Sequence, residues 1–159
     1  MAPEWFSLVY QKLFLAEQLI DSSEHTDQPQ ALREAQLQGA IELIVRARQT
    51  LLSLVAQLYQ QRHATPESLP ELLEWLEPEV PEYHELTELS LALDGWWLQL
   101  DALLLHQQRP AQKKKQVSDE NIIAVSVQVG PNRTKPALLA ITHAMKSYLQ
   151  ALETRHAEW

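Results

Sequence analysis

Four charged side chains fall on helix faces that are otherwise apolar, and their chemistry therefore needs an explanation. They are Lys12, Arg48, Asp94 and Asp101. A charged group that leaves water must find a partner if it is to stay ionised. We expect these residues either to form ion pairs between helices, which fix register at little net gain in stability, or to line a polar pocket that binds a small charged ligand. The set contains no evident nucleophile, so catalysis is not expected.

Metal chemistry has one candidate pair in the sequence. Glu153 and His156 have the i, i+3 spacing of carboxylate-bridged di-iron bundles. A second Glu-x-x-His is absent from the sequence, and the chain has no cysteine to supply a thiolate. The 3 glycines form no phosphate-binding loop. The sequence therefore predicts no metal site and no cofactor.

The run Lys113–Lys115 is the candidate for binding an anionic partner. Arg109, Arg133 and Lys135 lie near it in the sequence, but no aromatic residues alternate with these cations to stack bases. The net charge of the whole chain is −8, which opposes contact with a phosphate backbone. We interpret the run as a solvated linker and do not expect a nucleic-acid partner.

The segment Leu86–His106 is apolar around more of a helix circumference than any other part of the chain, and we predict a central helix there. Its apolar positions form two neighbouring sectors. The first comprises Leu86, Leu89, Leu93, Trp96, Trp97, Leu100, Leu103 and Leu104, and the second comprises Leu91, Leu98 and Leu105. So wide an arc has to be covered on more than one side, by the chain's own core or by another subunit. The candidate interface residues are Trp96, Trp97, Leu91, Leu98 and Leu105, with core packing as the alternative for the two tryptophans.

Four more helices are predicted from apolar residues at helical spacing. Their ranges are Pro3–Ser22, Pro29–Arg62, a short helix at Pro66–Glu77, and Thr134–Arg155. Thr65 is the candidate N-cap of the short helix and Thr134 that of the last helix.

Asn121–Val129 is a strand-like stretch with alternating apolar residues. Because a strand cannot stand alone, its partner is expected to be Lys113–Val117 or the same strand of a second subunit. The predicted fold is mainly α: an antiparallel four-helix bundle with an extra short helix, and one short β-strand or hairpin between the last two long helices.

Length and composition favour a single domain. With 159 residues, 45% of them apolar, the chain is predicted to form one helical-bundle domain over residues 1–159. The N-terminal sequence lacks the pattern of a signal peptide, and no apolar run approaches the roughly 18 residues of a membrane span. We therefore expect a cytoplasmic protein without membrane contact.

Three short stretches resemble a known family. They are QKLFLA from Gln11 to Ala16, ENIIAV from Glu120 to Val125, and the terminal HAEW. Together with the total length, they resemble a family of small gammaproteobacterial proteins, domain of unknown function 6586. The resemblance implies a bacterial, cytoplasmic protein, and it supplies no functional residues to carry over.

Two functions from different classes are consistent with these features. The first is a non-enzymatic helical interaction or scaffold protein that self-associates or binds a protein partner through the apolar surface of the central helix. The alternative is a bundle that binds a small charged ligand in a polar pocket between the helices, formed by Lys12, Arg48, Asp94 and Asp101.

Overall fold

The computed structural model describes residues 2–111, 113–116, 125–128 and 130–157, and it is mainly helical, as predicted. Six helices occur in these ranges: α1 Pro3–Ser23, α2 Gln30–Leu58, α3 Leu69–Trp75, α4 Pro81–Leu91, α5 Trp96–Gln108 and α6 Lys135–His156. Two short strands, β1 Lys113–Gln116 and β2 Val125–Gln128, lie between α5 and α6. None of the helices described is long and apolar enough to span a bilayer.

The prediction of one central helix over Leu86–His106 is wrong, because the chain breaks between α4 and α5. Ala92 leaves the helical conformation, and the Gly95 N–H donates to the Ala92 carbonyl in a turn. A Cβ at position 95 would lie 3.0 Å from the Cβ of Ala92, so the turn leaves little room for a side chain there. Asp94 followed by glycine is a turn signal that interrupts the apolar pattern. Six helices thus replace the predicted four long helices and one short helix.

The core is built on α2. This helix contacts α1, α3, α5 and α6, and α1 also packs against α6. Fully buried apolar side chains from all the longer helices meet in one cluster, which includes Leu13, Ile41, Leu51, Leu100 and Leu149. Burial of each such side chain contributes about 1.5–3 kcal/mol. The core therefore holds α2 and α5 at fixed positions, and these two helices carry the candidate site.

Caps define two helix starts. The Thr134 hydroxyl accepts from the Ala137 N–H, as predicted for α6. The prediction of Thr65 as the cap of the short helix is wrong, because Ser68 accepts from the Glu71 N–H and α3 begins later. Ser68 and Glu71 have the Ser-x-x-Glu spacing of a capping box, and the Glu71 carboxylate accepts from the Glu67 N–H, one residue before the cap.

The two strands pair antiparallel, with Lys113 opposite Gln128 and Gln116 opposite Val125. The predicted strand Asn121–Val129 overlaps β2 at residues 125–128. Its remaining residues, 121–124 and 129, lie outside the ranges that the structure describes.

Candidate functional site

Arg48 and Asp101 form an ion pair between α2 and α5. Arg48 Nη2 lies 2.6 Å from Asp101 Oδ1, and Nη1 donates to the Trp97 carbonyl at 3.1 Å. The guanidinium carbon also lies 4.8 Å from the centre of the Trp97 ring, which is cation–π geometry. The Arg48 side chain is 11% exposed and that of Asp101 is 45% exposed, so the pair lies at the edge of the core. Water at Asp101 limits what the pair adds to stability.

A groove of about 480 Å³ opens over this ion pair. We call it the Arg48 groove. Its walls come from α2, from α3 and the residues before it, from α4 and from α5: Val45, Arg48, Gln49, Leu52, Glu67, Ser68, Leu69, Pro70, Leu73, Thr87, Ser90, Leu91, Trp97, Asp101 and Leu104. The lining is mixed, with eight apolar residues and seven polar ones, three of them charged. The hydroxyls of Thr87 and Ser90 donate to carbonyls of their own helix, so neither is set up as a nucleophile.

Lys12 and Asp94 do not join the Arg48 groove. Lys12 is half-buried on α1, and Asp94 is exposed in the turn between α4 and α5. The helix break explains the position of Asp94, because the seven-residue spacing to Asp101 places two side chains on one face only in a continuous helix. The structure thus brings together Arg48 and Asp101, and it separates the other two members of the predicted set.

The predicted interface residues divide into a covered group and an exposed group. Trp96 and Trp97 are buried within the chain, which is the core alternative. Leu98 is half-buried, Leu105 is 46% exposed and Leu91 is 70% exposed. Leu93, which the pattern placed in the first apolar sector, is 87% exposed because it lies in the turn. We call Leu91, Ala92 and Leu93 the apolar tip. Since Leu91 also lines the Arg48 groove, tip and groove adjoin.

A buried carboxylate that the sequence analysis missed lies at the first turn of α4. Glu82 is fully buried, and its Oε2 accepts from the Tyr59 hydroxyl at 2.5 Å. Its Oε1 accepts from Arg155 at 2.5 Å and lies 3.1 Å from His156 Nε2. Burial alone would raise the pKa of Glu82, but these hydrogen bonds outweigh it and lower the pKa below 4.5.

The Glu82 cluster joins the end of α2, the start of α4 and the end of α6. Arg155 also donates to Glu85 Oε1 at 2.6 Å, so one guanidinium spans two carboxylates. Because both oxygens of Glu82 are occupied and buried, the cluster holds the helices together rather than offering a base to a substrate. The sequence signal that could have located Glu82 is Pro81, because proline is favoured at the first position of a helix and so places Glu82 in the first turn.

A second missed cluster joins α1 to α6. Lys146 Nζ lies 2.7 Å from Glu17 Oε1 and 2.8 Å from Oε2, and the Thr142 hydroxyl donates to the same Oε1 at 2.8 Å. Glu153 and His156, whose spacing resembles that of di-iron bundles, have different partners in the structure: Glu153 accepts from Tyr10, whereas His156 faces Glu82. In the described ranges, no three potential metal ligands come together.

The comparison with protein families decides the classification. A family model described as "Family of unknown function (DUF6586)" matches residues 1–159. The chain belongs to this family. The resemblance to this family that the three short stretches indicated is therefore confirmed. No curated protein and no solved structure matches this DUF6586 chain.

Proposed function

We propose that this DUF6586 chain is a non-enzymatic interaction protein that self-associates through the Arg48 groove and the apolar tip. The observation that carries the proposal is the exposure of Leu91 and Leu93, at 70% and 87%, beside the Arg48 groove. Single exposed leucines are ordinary, but two exposed leucines at the edge of a groove favour an interaction with another molecule. In this proposal α1, α2, α5 and α6 serve as the antiparallel scaffold that holds the surface.

A second copy fits this surface for a geometric reason. Two-fold symmetric interfaces use the same patch on both subunits, so the patch must be complementary to itself. A tip next to a groove meets this condition, because the tip of each copy can enter the groove of the other. Leu93 would then lie against the groove wall of the partner, where Leu73 and Leu104 are partly exposed.

The expected affinity is modest. Burying one fully exposed leucine contributes about 1.5–3 kcal/mol. Because Leu91 and Leu93 are 70% and 87% exposed, the four tip leucines of a dimer contribute about 5–9 kcal/mol before costs. Association itself costs about 4–15 kcal/mol in lost freedom of motion. Contacts along the groove walls must add to the leucine term, and we expect a dimer that dissociates on dilution into the micromolar range.

The groove is proposed as a protein surface in preference to the charged-ligand pocket. Arg48 already contacts Asp101, the Trp97 carbonyl and the Trp97 ring, so its charge is engaged. The other two residues of the predicted pocket, Lys12 and Asp94, lie outside the groove lining. A cytoplasmic location and the lack of enzymatic activity stay predictions from the sequence.

Light scattering behind size exclusion, over about a hundredfold range of protein concentration, tests the proposal. We expect the mass of the wild-type chain to rise from monomer toward dimer. The variant Leu91→Ser/Leu93→Ser should stay monomeric over the same range. Leu32→Ser is the matched control, because Leu32 is 47% exposed on α2 and lies outside the groove lining.

Two results would contradict the proposal. One is a wild-type mass that stays monomeric at every concentration. The other is a dimer that the tip variant forms as well as the wild type does, which would place the interface on another face, such as the exposed side of α1 around Phe14.

A further inference from the structure

A cavity of about 500 Å³ opens where the end of α2, the start of α4 and the end of α6 meet. Apolar surface from Leu58, Pro81 and the Tyr59 ring forms part of its lining, and the other lining side chains are Gln60, Arg155 and His156. We call it the Tyr59 cavity. It shares no lining residue with the Arg48 groove, and its volume falls within the range of pockets that hold small molecules.

The imidazole of His156 is oriented by the buried carboxylate of Glu82. His156 Nε2 lies 3.1 Å from Glu82 Oε1. Although burial alone would raise the pKa of Glu82, its hydrogen bonds lower the pKa, so the carboxylate is ionised and can only accept. The proton of this contact therefore belongs to Nε2. In the neutral imidazole, the second ring nitrogen, Nδ1, is then an acceptor.

Nδ1 is available to a molecule that enters the cavity. Within the described ranges it has no hydrogen-bond partner, and it is not closed off from the surface. The rest of the ring is packed: the His156 side chain is 11% exposed, and the Tyr59 ring meets it edge-on, with 5.6 Å between centroids. A histidine that a carboxylate holds at one nitrogen presents the other in a fixed direction. His156 thus supplies the lining with one pre-oriented acceptor.

Gln60 lines the same cavity in a backbone conformation that suits glycine better. Its φ is 62°, the one positive value among the described residues other than glycine. It follows the end of α2, where the Gln61 N–H donates to the Ala56 carbonyl at 2.9 Å, and glycine is the usual residue at this position because it has no Cβ. Strained residues of this kind cluster at ligand sites. The strain points to a role for the exposed Gln60 side chain, whose amide can both donate and accept.

The charges around the cavity disfavour an ionised ligand. Arg155 donates to both Glu82 and Glu85, so one guanidinium faces two carboxylates and one negative charge is in excess. A ligand carboxylate would be repelled by this charge and has no proton to donate to Nδ1 of His156. An ammonium group would lie beside the Arg155 guanidinium and could not accept from Gln60. A neutral hydroxyl group can donate to one of these side chains and accept from the other.

We propose that the Tyr59 cavity binds a small neutral phenol. The hydroxyl donates to His156 Nδ1 and accepts from the Gln60 amide, and the aromatic ring packs against Tyr59, Leu58 and Pro81. This site is separate from the Arg48 groove, so it can be correct whether or not the chain self-associates.

Titration of the ¹⁵N-enriched chain with small aromatic probes, followed by NMR, tests the site. Phenol is the principal probe, and anisole is its matched control, because anisole keeps the ring and the oxygen but lacks the proton for Nδ1. Benzoate and benzylamine carry the two charges. We expect phenol to bind at least about fivefold more tightly than each of the other three, with the largest shift changes at the amides of Gln60 and His156. Equal affinity for anisole, shift changes centred elsewhere, or no change with phenol would overturn the proposal.

Variants identify the groups that bind the hydroxyl. Gln60→Gly should raise the denaturation midpoint, because it relieves the positive φ, and should weaken phenol binding. A purely structural role of Gln60 would not give these opposite changes. His156→Phe keeps a ring against Tyr59 and should abolish the preference for phenol over anisole.

His63→Phe is the control for His156→Phe, since His63 is exposed and lies outside the lining. Phenol affinity that stays unchanged in both Gln60→Gly and His156→Phe would place the ligand elsewhere and overturn the assignment. If His156→Phe does not fold, Gln60→Gly and the comparison of phenol with anisole decide the question.

Discussion

Replacing Glu82 with glutamine should destabilise the protein strongly, because Glu82 is a fully buried carboxylate whose charge three side chains recognise. The substitution keeps the volume and removes the charge. Glutamine also turns one acceptor oxygen into an NH2 donor. An NH2 group on the Arg155 side would face a guanidinium, which cannot accept, whereas on the Tyr59 side it could donate to the hydroxyl oxygen, so the loss comes mainly from the missing charge.

The size of this loss follows from the burial of the two partners of the Glu82–Arg155 ion pair. Removing one partner of a fully buried pair costs about 3–5 kcal/mol. Arg155 is 33% exposed and keeps its contact with Glu85, so part of this cost is relieved. We therefore expect Glu82→Gln to cost about 3 kcal/mol in the free energy of unfolding. For a chain of this size, that loss lowers Tm by about 6–12 °C.

Chemical denaturation and differential scanning calorimetry at neutral pH measure both quantities. Glu88→Gln is the matched control, because Glu88 is an exposed glutamate on the same helix, and it should change stability by less than about 0.5 kcal/mol. Tyr59→Phe, alone and combined with Glu82→Gln, should show a coupling of about 0.5–3 kcal/mol, since the two side chains share a hydrogen bond.

A loss for Glu82→Gln no larger than that of the Glu88 control would refute the reasoning. It would mean that Glu82 is solvated in solution or that the cluster is open. Additivity of the Tyr59 and Glu82 changes would refute the specific hydrogen bond while leaving burial intact.

Three further predictions concern the pH dependence of stability and the Arg48–Asp101 ion pair. The pKa of Glu82 is lowered from 4.5, so the stability that its charge adds to the fold is present above the unfolded pKa and is lost as the pH falls through the folded pKa. The difference in Tm between wild type and Glu82→Gln should therefore disappear in acid. A difference that stays constant with pH would contradict this. Asp101→Ala should lower the free energy of unfolding by about 1–2 kcal/mol, because it leaves Arg48 without its carboxylate partner. The loss is smaller than for a fully buried pair because Asp101 is partly solvated. An unchanged denaturation midpoint would show that the pair is not formed. Burial and the hydrogen bond to Glu153 raise the pKa of Tyr10 from 10.0 to about 12, so the stability that this contact adds is lost as the pH rises through this range. In Tyr10→Phe, Tm should therefore decrease less steeply with rising alkaline pH. An equally steep decrease in the variant would argue against the contact.

The sequence was informative where one periodicity runs over many residues. The stripes of α1, α2 and α6 were predicted within a few residues of their ends, and Thr134 was identified as a cap, because both depend on local spacing. Arg48 and Asp101 could be singled out because a charge on an apolar stripe is visible in one helix. Their pairing needed the structure, since spacing within a helix carries no information about which helix lies opposite.

The errors also have local causes. Leucines on both sides of Asp94 and Gly95 continued the apolar pattern, and the turn signal of these two residues was outweighed by it. Glu82 was missed because it stands in a polar, proline-containing segment where a carboxylate is normally exposed. Only the fold brings Arg155, more than seventy residues away, against it.

Paramagnetic broadening between two copies tests self-association through the tip and the groove most directly. The chain has no cysteine, so Asp94→Cys provides a unique attachment point for a nitroxide label, next to the tip and with both leucines intact. The labelled copy without ¹⁵N is mixed with an unlabelled, ¹⁵N-enriched wild-type copy, and any broadening is then intermolecular. We predict that the amides around Arg48 and Leu73 and the Trp97 indole N–H broaden in the wild-type copy. An absence of broadening at high concentration, or broadening centred on α1, would contradict the account.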